Sequence, residues 1–165
     1  MAIGTLASTA CLEFLLGKDL EAFDVDRCAN AWPLWDEMEA RIREIFAGKI
    51  GHLARALTES RGKYTDAEGI RAQLEAVKGC WSELRERIRR QIMPFNEVHE
   101  CLRKVGAPYE PEMIGVNREK LRSTFHCIPY MRNRFTGIDL LQRAGLMDED
   151  EVEEYLFGKG GHWEI

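Results

Sequence analysis

The most restrictive pattern in the sequence is an apolar seam between residues 70 and 88. Alternating steps of four and three residues return to one face of an α-helix, whereas a half-buried strand alternates at every second residue. The seam consists of Ile70, Leu74, Val77, Trp81, Leu84 and Ile88. A seam of this length is too short for a stand-alone coiled coil, so we expect its helix to pack against an antiparallel helix of the same chain.

Helical periodicity continues on both sides of the seam, and no alternating strand pattern of useful length interrupts it. Glycine and proline separate the periodic stretches, as is typical of short connections between helices. Apolar stripes occur within residues 34–46, 53–62, 95–105, 121–145 and 152–156. The sequence therefore predicts an all-α protein, a multi-helix bundle in which residues 1–165 form a single helical domain.

Several helix ends can be placed from side chains that satisfy free backbone groups. Residues 65–68 have the Thr-x-x-Glu spacing of a capping box, Asn117 is a predicted N-cap, and residues 148–151 are predicted to cap a last short helix. Pro129 lies inside a periodic stretch that runs to Gly145, so we expect a kink or a short break there.

The first twelve residues carry no charged side chain, and Glu13 is the first. A secretory signal requires a basic region before its apolar run, and a membrane span requires about 20 apolar residues, so neither class fits. A helix that is apolar or small on every side is expected at the centre of a fold or beneath another layer. Gly4 and Ser8 would permit close approach of a neighbouring backbone.

Composition excludes several functional classes. With 165 residues the chain can bury one core, but it is shorter than the roughly 250 residues of an enzyme that holds its own dinucleotide and substrate. The net charge of −5 comes from the segment after residue 147, and the rest is nearly neutral, so no uniform basic face for nucleic acid is expected. Five separated cysteines with no Cys-x-x-Cys pair indicate reduced thiols in a cytoplasmic protein, not a disulfide frame or a zinc site.

No catalytic or metal-binding motif is evident. The sequence lacks a Walker loop, a dinucleotide turn after a strand and a His-Glu-x-x-His motif. His99 and Cys101 diverge by about 200° on a helix, so they cannot share a metal. The basic run at residues 85–90 is interrupted by Glu86 and has no interleaved aromatic residues, which favours a solvated helix face over a nucleic-acid surface.

Residues 130–136 contain the one set of polar side chains in the sequence that we interpret as a candidate binding site. In a continuous helix Arg132 and Thr136 would share a face at a spacing of four residues, with Arg134 nearby. An arginine fork and a hydroxyl can bind a phosphate or a carboxylate. The alternative is that one arginine only makes a contact between helices or with a loop carbonyl.

Three motifs, in order, resemble a known family. They are Glu-Pro-Glu-Met-Ile-Gly-Val at 110–116, Leu-Arg-Ser-Thr-Phe at 121–125, and Arg-Asn-Arg-Phe-Thr-Gly-Ile-Asp-Leu-Leu at 132–141. The chain is similar to the C-terminal region of bacterial sn-glycerol-1-phosphate dehydrogenases, in the iron-containing alcohol dehydrogenase and dehydroquinate synthase-like superfamily. The resemblance extends over essentially the whole chain.

The resemblance implies that the parent enzyme interconverts dihydroxyacetone phosphate and sn-glycerol-1-phosphate. In the family an N-terminal α/β domain binds NAD(P), and an Asp and two His hold a divalent metal (Ni, Zn or Fe) that polarises the reacting oxygen. The family's last histidine precedes a helix similar to the one that begins here at Met1, so the resemblance places the ligands and the cofactor domain before Met1. No catalytic, cofactor or metal residue is then expected in this chain, and Arg132, Arg134 and Thr136 are candidates for the substrate phosphate.

Two kinds of partner follow from these expectations. The resemblance implies a cofactor-binding domain that covers the first helix, and without it self-association through that helix is expected, but no nucleic acid and no membrane. The alternative is a stand-alone helical protein-interaction module that docks through the first helix, because exposed apolar patches often mark interfaces. In that case Leu6→Glu would abolish association and leave the fold intact.

Overall fold

The computed structural model describes residues 1–147 and 151–165, and within them it contains helices and no strands. Short 3₁₀ turns occur at Pro111–Ile114 and Ile128–Tyr130. The nine α-helices of these residues are α1 (Ala2–Leu16), α2 (Val25–Ala31), α3 (Trp35–Ile45), α4 (Ile50–Lys63), α5 (Ala67–Arg89), α6 (Phe95–Lys104), α7 (Arg118–Phe125), α8 (Gly137–Arg143) and α9 (Glu151–Phe157). The predicted all-α class is confirmed.

Helix α1 lies in the core along most of its circumference, where it contacts α6, α8 and α9. Leu6 is fully buried and Leu15 is 1% exposed, because these helices cover the large apolar side chains of α1. The solvent-facing strip instead carries Gly4, Thr5 and Ser8. Leu6 is therefore a core residue, and its burial leads us to expect that Leu6→Glu unfolds the protein.

The seam of α5 faces the core as predicted. Ile70, Leu74 and Trp81 are buried, and the other three members are partly buried against the same cluster. The helix against which α5 chiefly packs is α2. This partner has only seven residues and is therefore much shorter than α5. The segment before α2 also contributes, since the indole of Trp81 donates to the carbonyl of Lys18 at 3.0 Å.

A second, smaller cluster joins α3, α4 and the 3₁₀ turn at Ile128–Tyr130. Met38, Ile42 and Phe46 bury one face of α3, as their spacing predicts, whereas Leu34 is 69% exposed just before the helix begins. This cluster positions the end of α4 against the segment that precedes α8.

The caps are partly as predicted. Asn117 accepts a hydrogen bond from the backbone N–H of Lys120 at 2.8 Å, which confirms it as the N-cap of α7. The capping box predicted at residues 65–68 is wrong by one position, because Asp66 is the N-cap of α5 and accepts from Gly69 N at 2.9 Å. The cap predicted at residues 148–151 involves Asp148, which lies outside the described residues.

Of the kink or short break expected at Pro129, the structure shows the break. Helix α7 ends at Phe125, the chain makes one 3₁₀ turn, and residues 131–136 are not helical. Proline lacks an N–H and its ring displaces the preceding turn, so the helix stops and a new one begins at Gly137. The break produces an exposed connecting segment that carries the candidate arginines.

Candidate functional site

A groove of about 680 Å³ runs between α1 and the segment at residues 128–139. We call it the α1 groove. Arg132, Arg134 and Thr136 all line it, together with Lys63 from the end of α4. The structure therefore brings the three candidate site residues together, on the side of α1 that the rest of the bundle leaves exposed.

The reason given for this grouping from the sequence is nevertheless wrong. Arg132 and Thr136 do not share a helix face, because residues 131–136 form an irregular connection. They meet at the groove because this connection passes beside α1. One of its anchors is the backbone N–H of Asn133, which donates to the Glu59 carboxylate at 2.9 Å.

The two guanidinium groups are available to a ligand. Arg132 and Arg134 are exposed, and neither makes a hydrogen bond or an ion pair with any residue in the described part of the chain. Arginine presents a planar fork of N–H donors that matches phosphate and carboxylate oxygens. Two such forks beside one groove favour an anionic ligand.

Thr136 is already engaged. Its hydroxyl and its backbone N–H both donate to Oδ2 of Asp139, each at 2.8 Å, and this carboxylate stabilises the start of α8. The proton of the hydroxyl is thus committed, and its oxygen remains able to accept a hydrogen bond. Thr136 therefore suits a hydroxyl of a ligand better than a phosphate oxygen.

A nearly buried polar network supports the arginine-bearing connection from beneath. The ammonium of Lys63 donates to the carboxylate of Asp139 and to the carbonyl of Pro129. Arg143 donates to the carbonyl of Lys63 at 3.0 Å, and its guanidinium carbon lies 4.8 Å from the centre of the Phe135 ring. These contacts tie both ends of the 131–136 connection to α4 and α8.

The opposite wall of the groove is formed by α1. Thr5, Ser8 and Thr9 contribute hydroxyl groups, and that of Thr5 donates back to the carbonyl of Met1 at 3.3 Å. A side chain at Gly137 would come within 3.2 Å of Leu12, so glycine allows α8 to approach α1 closely. The α1 groove thus combines two arginines that have no partner among the described residues on one side with hydroxyls on the other. This arrangement suits a small anion that also carries hydroxyl groups.

Two of the four histidines lie beside glutamate carboxylates. Nε2 of His99 lies 3.2 Å from Oε1 of Glu110, and Nε2 of His126 lies 3.0 Å from Oε2 of Glu153. Nowhere in residues 1–147 and 151–165 do three His, Cys, Asp or Glu residues converge as metal ligands. The described residues do not fit the metal of the family that the sequence resembles, so no chemical step through a metal is derived for them.

Lys63 and Asp139 are functional candidates that the sequence reading missed. Asp139 follows Thr136 by three residues, which is the spacing of a capping box and a signal that was present. Lys63 carried no comparable signal, because its partners lie 66 and 76 residues further along the chain.

Comparison with known proteins finds no matching family model and no significantly similar curated protein or solved structure. The family resemblance stated from the sequence motifs therefore stays a prediction. Among the helices of the described residues, none combines the length and the apolar character that crossing a bilayer requires.

Proposed function

We propose that this chain is the helical domain of an oxidoreductase similar to glycerol-1-phosphate dehydrogenases, and that its α1 groove forms part of the wall of the substrate site. In the intact enzyme a separate domain would supply NAD(P), and residues outside this chain would hold a divalent metal that polarises the reacting oxygen. The chain on its own would bind the substrate weakly and would not catalyse hydride transfer.

The observation that carries the proposal is a pair of guanidinium groups at the α1 groove that have no partner within residues 1–147 and 151–165. Arg132 and Arg134 line it from the connection before α8, and the hydroxyls of Thr5, Ser8 and Thr9 line it from α1. A triose or glycerol phosphate has a dianionic end and a hydroxyl-bearing end. The arginines suit the first end, and the hydroxyls of α1 suit the second.

The residues would act by binding and orienting the substrate. The arginine forks would hold the phosphate. The Lys63–Asp139 network beneath would keep the 131–136 connection in place and would not itself contact the substrate. Preformed contacts of this kind lower the entropic cost of reaching a reactive geometry.

Calorimetric titration with sn-glycerol-1-phosphate at low ionic strength tests the binding part of the proposal. We expect saturable binding that Arg132→Gln and Arg134→Gln each weaken about tenfold, in the range of one charge-assisted hydrogen bond. Arg103→Gln is the matched control, because Arg103 is exposed on α6 and pairs with Glu100 at 2.8 Å. Equal affinity in all three variants would overturn the assignment of the groove.

An activity assay tests the division of labour between domains. The purified chain is incubated with dihydroxyacetone phosphate, NADH or NADPH, and Ni²⁺, Zn²⁺ or Fe²⁺, and the absorbance of the nicotinamide is followed. We expect no turnover. A rate on the order of 1 s⁻¹ or more would contradict the claim that catalysis requires residues outside this chain.

A further inference from the structure

A small cavity of about 20 Å³ lies between α4, the 3₁₀ turn at Ile128–Tyr130 and α8. It shares Lys63 and Asp139 with the α1 groove, but it contains none of the residues proposed for the substrate phosphate. Every residue that lines the cavity is buried or half-buried, so it is shielded from solvent on most sides. A polar group beside it therefore depends on the protein, or on a bound molecule, for its hydrogen bonds.

Ser60, on α4, is the reason to expect a ligand in this cavity. The residue lines the cavity and is only 5% exposed. Its hydroxyl oxygen is buried and makes no hydrogen bond within the part of the chain that the structure describes. Most buried hydroxyls in folded proteins bond to a protein group or to an ordered water, because burial without a partner is unfavourable. An unpartnered hydroxyl beside a cavity therefore indicates a small polar ligand.

The wall next to Ser60 offers further hydrogen-bonding groups. Lys63 and Tyr64 follow Ser60 by three and four residues, a spacing that places them on the same side of α4. The hydroxyl of Tyr64 donates to the carbonyl of Pro33 at 3.1 Å, and its oxygen can still accept a hydrogen bond. The ammonium of Lys63 has three N–H donors, of which Asp139 and a backbone carbonyl take two. A molecule beside Ser60 thus has both a donor and an acceptor nearby.

The size of the cavity selects the ligand. A drug-sized organic molecule occupies a pocket of roughly 300 Å³ or more, whereas a single water needs roughly 10–15 Å³. We propose that the cavity holds one internal water molecule, which hydrogen-bonds the hydroxyl of Ser60 and at least one group of the Lys63–Asp139 network. Water suits this position because it donates and accepts at once, as the hydroxyl of Ser60 does. The water site does not depend on the function proposed for the α1 groove.

A competing arrangement needs no ligand. A serine inside a helix can turn its hydroxyl to the carbonyl four residues earlier, which for Ser60 belongs to Ala56. Thr58, on the same helix, bonds in this way to the carbonyl of Ala54 at 3.0 Å. The hydroxyl of Ser60 would then be satisfied within α4, and the cavity would be dry.

Urea denaturation of Ser60→Ala tests whether the hydroxyl has a partner. Ser82→Ala is the matched control, because Ser82 is exposed within α5 and its substitution reports only the higher helix propensity of alanine. We expect Ser60→Ala to unfold at a lower urea concentration than the parent protein, because a buried hydrogen bond is lost. Ser82→Ala should unfold at the same or a slightly higher concentration. If Ser60→Ala is as stable as this control, the hydroxyl has no partner and the water site is refuted.

A high-resolution crystal structure separates the water from the turned hydroxyl. We expect one density peak in the cavity at about 2.5–3.0 Å from Oγ of Ser60, the range of a hydrogen bond between two oxygens. The peak should be lost in Ser60→Ala and retained in Ser82→Ala. A hydroxyl turned to Ala56, with no peak in the cavity, would overturn the proposal. Crystals soaked in bromide provide the last check, since an anomalous signal at the peak would identify a halide ion and contradict the assignment of water.

Discussion

The ammonium of Lys63 lies against the carboxylate of Asp139, and their side chains are only 13% and 4% exposed. Lys63 ends α4 and Asp139 lies in the first turn of α8, so the pair links the two core clusters across 76 residues of sequence. Asp139 also accepts both hydrogen bonds from Thr136, while Lys63 also donates to the carbonyl of Pro129. One buried pair thus holds both ends of the connection that presents Arg132 and Arg134.

Loss of this lysine should destabilise the fold. Lys63→Met leaves the Asp139 carboxylate nearly buried without its cation, which typically costs about 3 kcal/mol in the free energy of unfolding. Urea denaturation followed by circular dichroism measures the change. Lys104→Met is the control, since Lys104 is exposed on α6 and such substitutions usually change stability by about 0.5 kcal/mol or less. A loss equal to that of the control would mean that the pair is not stabilising.

The two faces of α1 should respond differently to the same substitution. Leu6→Glu puts a carboxylate into a fully buried position and should unfold the protein, because an unpaired buried charge is strongly unfavourable. Ser8→Glu, on the exposed strip, should retain the native helical content. Circular dichroism and size-exclusion chromatography measure both. A folded Leu6→Glu variant that merely loses self-association would favour the docking role of α1 instead.

Acid should weaken the packing of the C-terminal segment. Burial lowers the pKa of His162, an effect that Glu13 opposes and His99 adds to, and Phe95 stacks on it with ring centres 3.8 Å apart. His162 binds a proton less readily in the folded state than in the unfolded state. Its contribution to the free energy of unfolding is therefore complete above a pH of about 6.5 and is lost as the pH falls below that value. The free energy of unfolding measured between pH 7.5 and 5 should therefore decline less in His162→Gln.

The matched control for this pH series is His52→Gln, because His52 is exposed. That variant should keep the full decline of the parent protein. If both substitutions reduce the decline equally, the effect does not come from the burial of His162.

The five thiols should fall into two classes of reactivity. Burial raises the pKa of Cys11 to about 12, so almost no thiolate exists at neutral pH, and Cys28 and Cys127 are also buried. Cys80 and Cys101 are exposed. A thiol reagent such as dithionitrobenzoate should modify two cysteines quickly in the folded protein and the other three only after denaturant is added. Rapid reaction of all five would contradict the burial of α1.

Local patterns in the sequence were sufficient for most helices. The seam from Ile70 to Ile88 predicted α5 because a helix repeats its faces every three to four residues, and Asn117 predicted the start of α7 because its side chain bonds a neighbour in sequence. The same reasoning expected a kink or a break at Pro129, but it was wrong to place Arg132 and Thr136 on one helix face. There, apolar spacing continued across Pro129, but the backbone did not remain helical.

The candidate site likewise divides into features that the sequence predicts and features that only the tertiary structure shows. The sequence by itself determined that Arg132, Arg134 and Thr136 are close along the chain, and it predicted an anion as their ligand. Only the tertiary structure decided that they face α1 and that Lys63 and Asp139 support the connection that carries them. Helices and caps depend on residues a few positions apart. The α1 groove depends on how α1, α4 and α8 pack, and no local pattern encodes that packing.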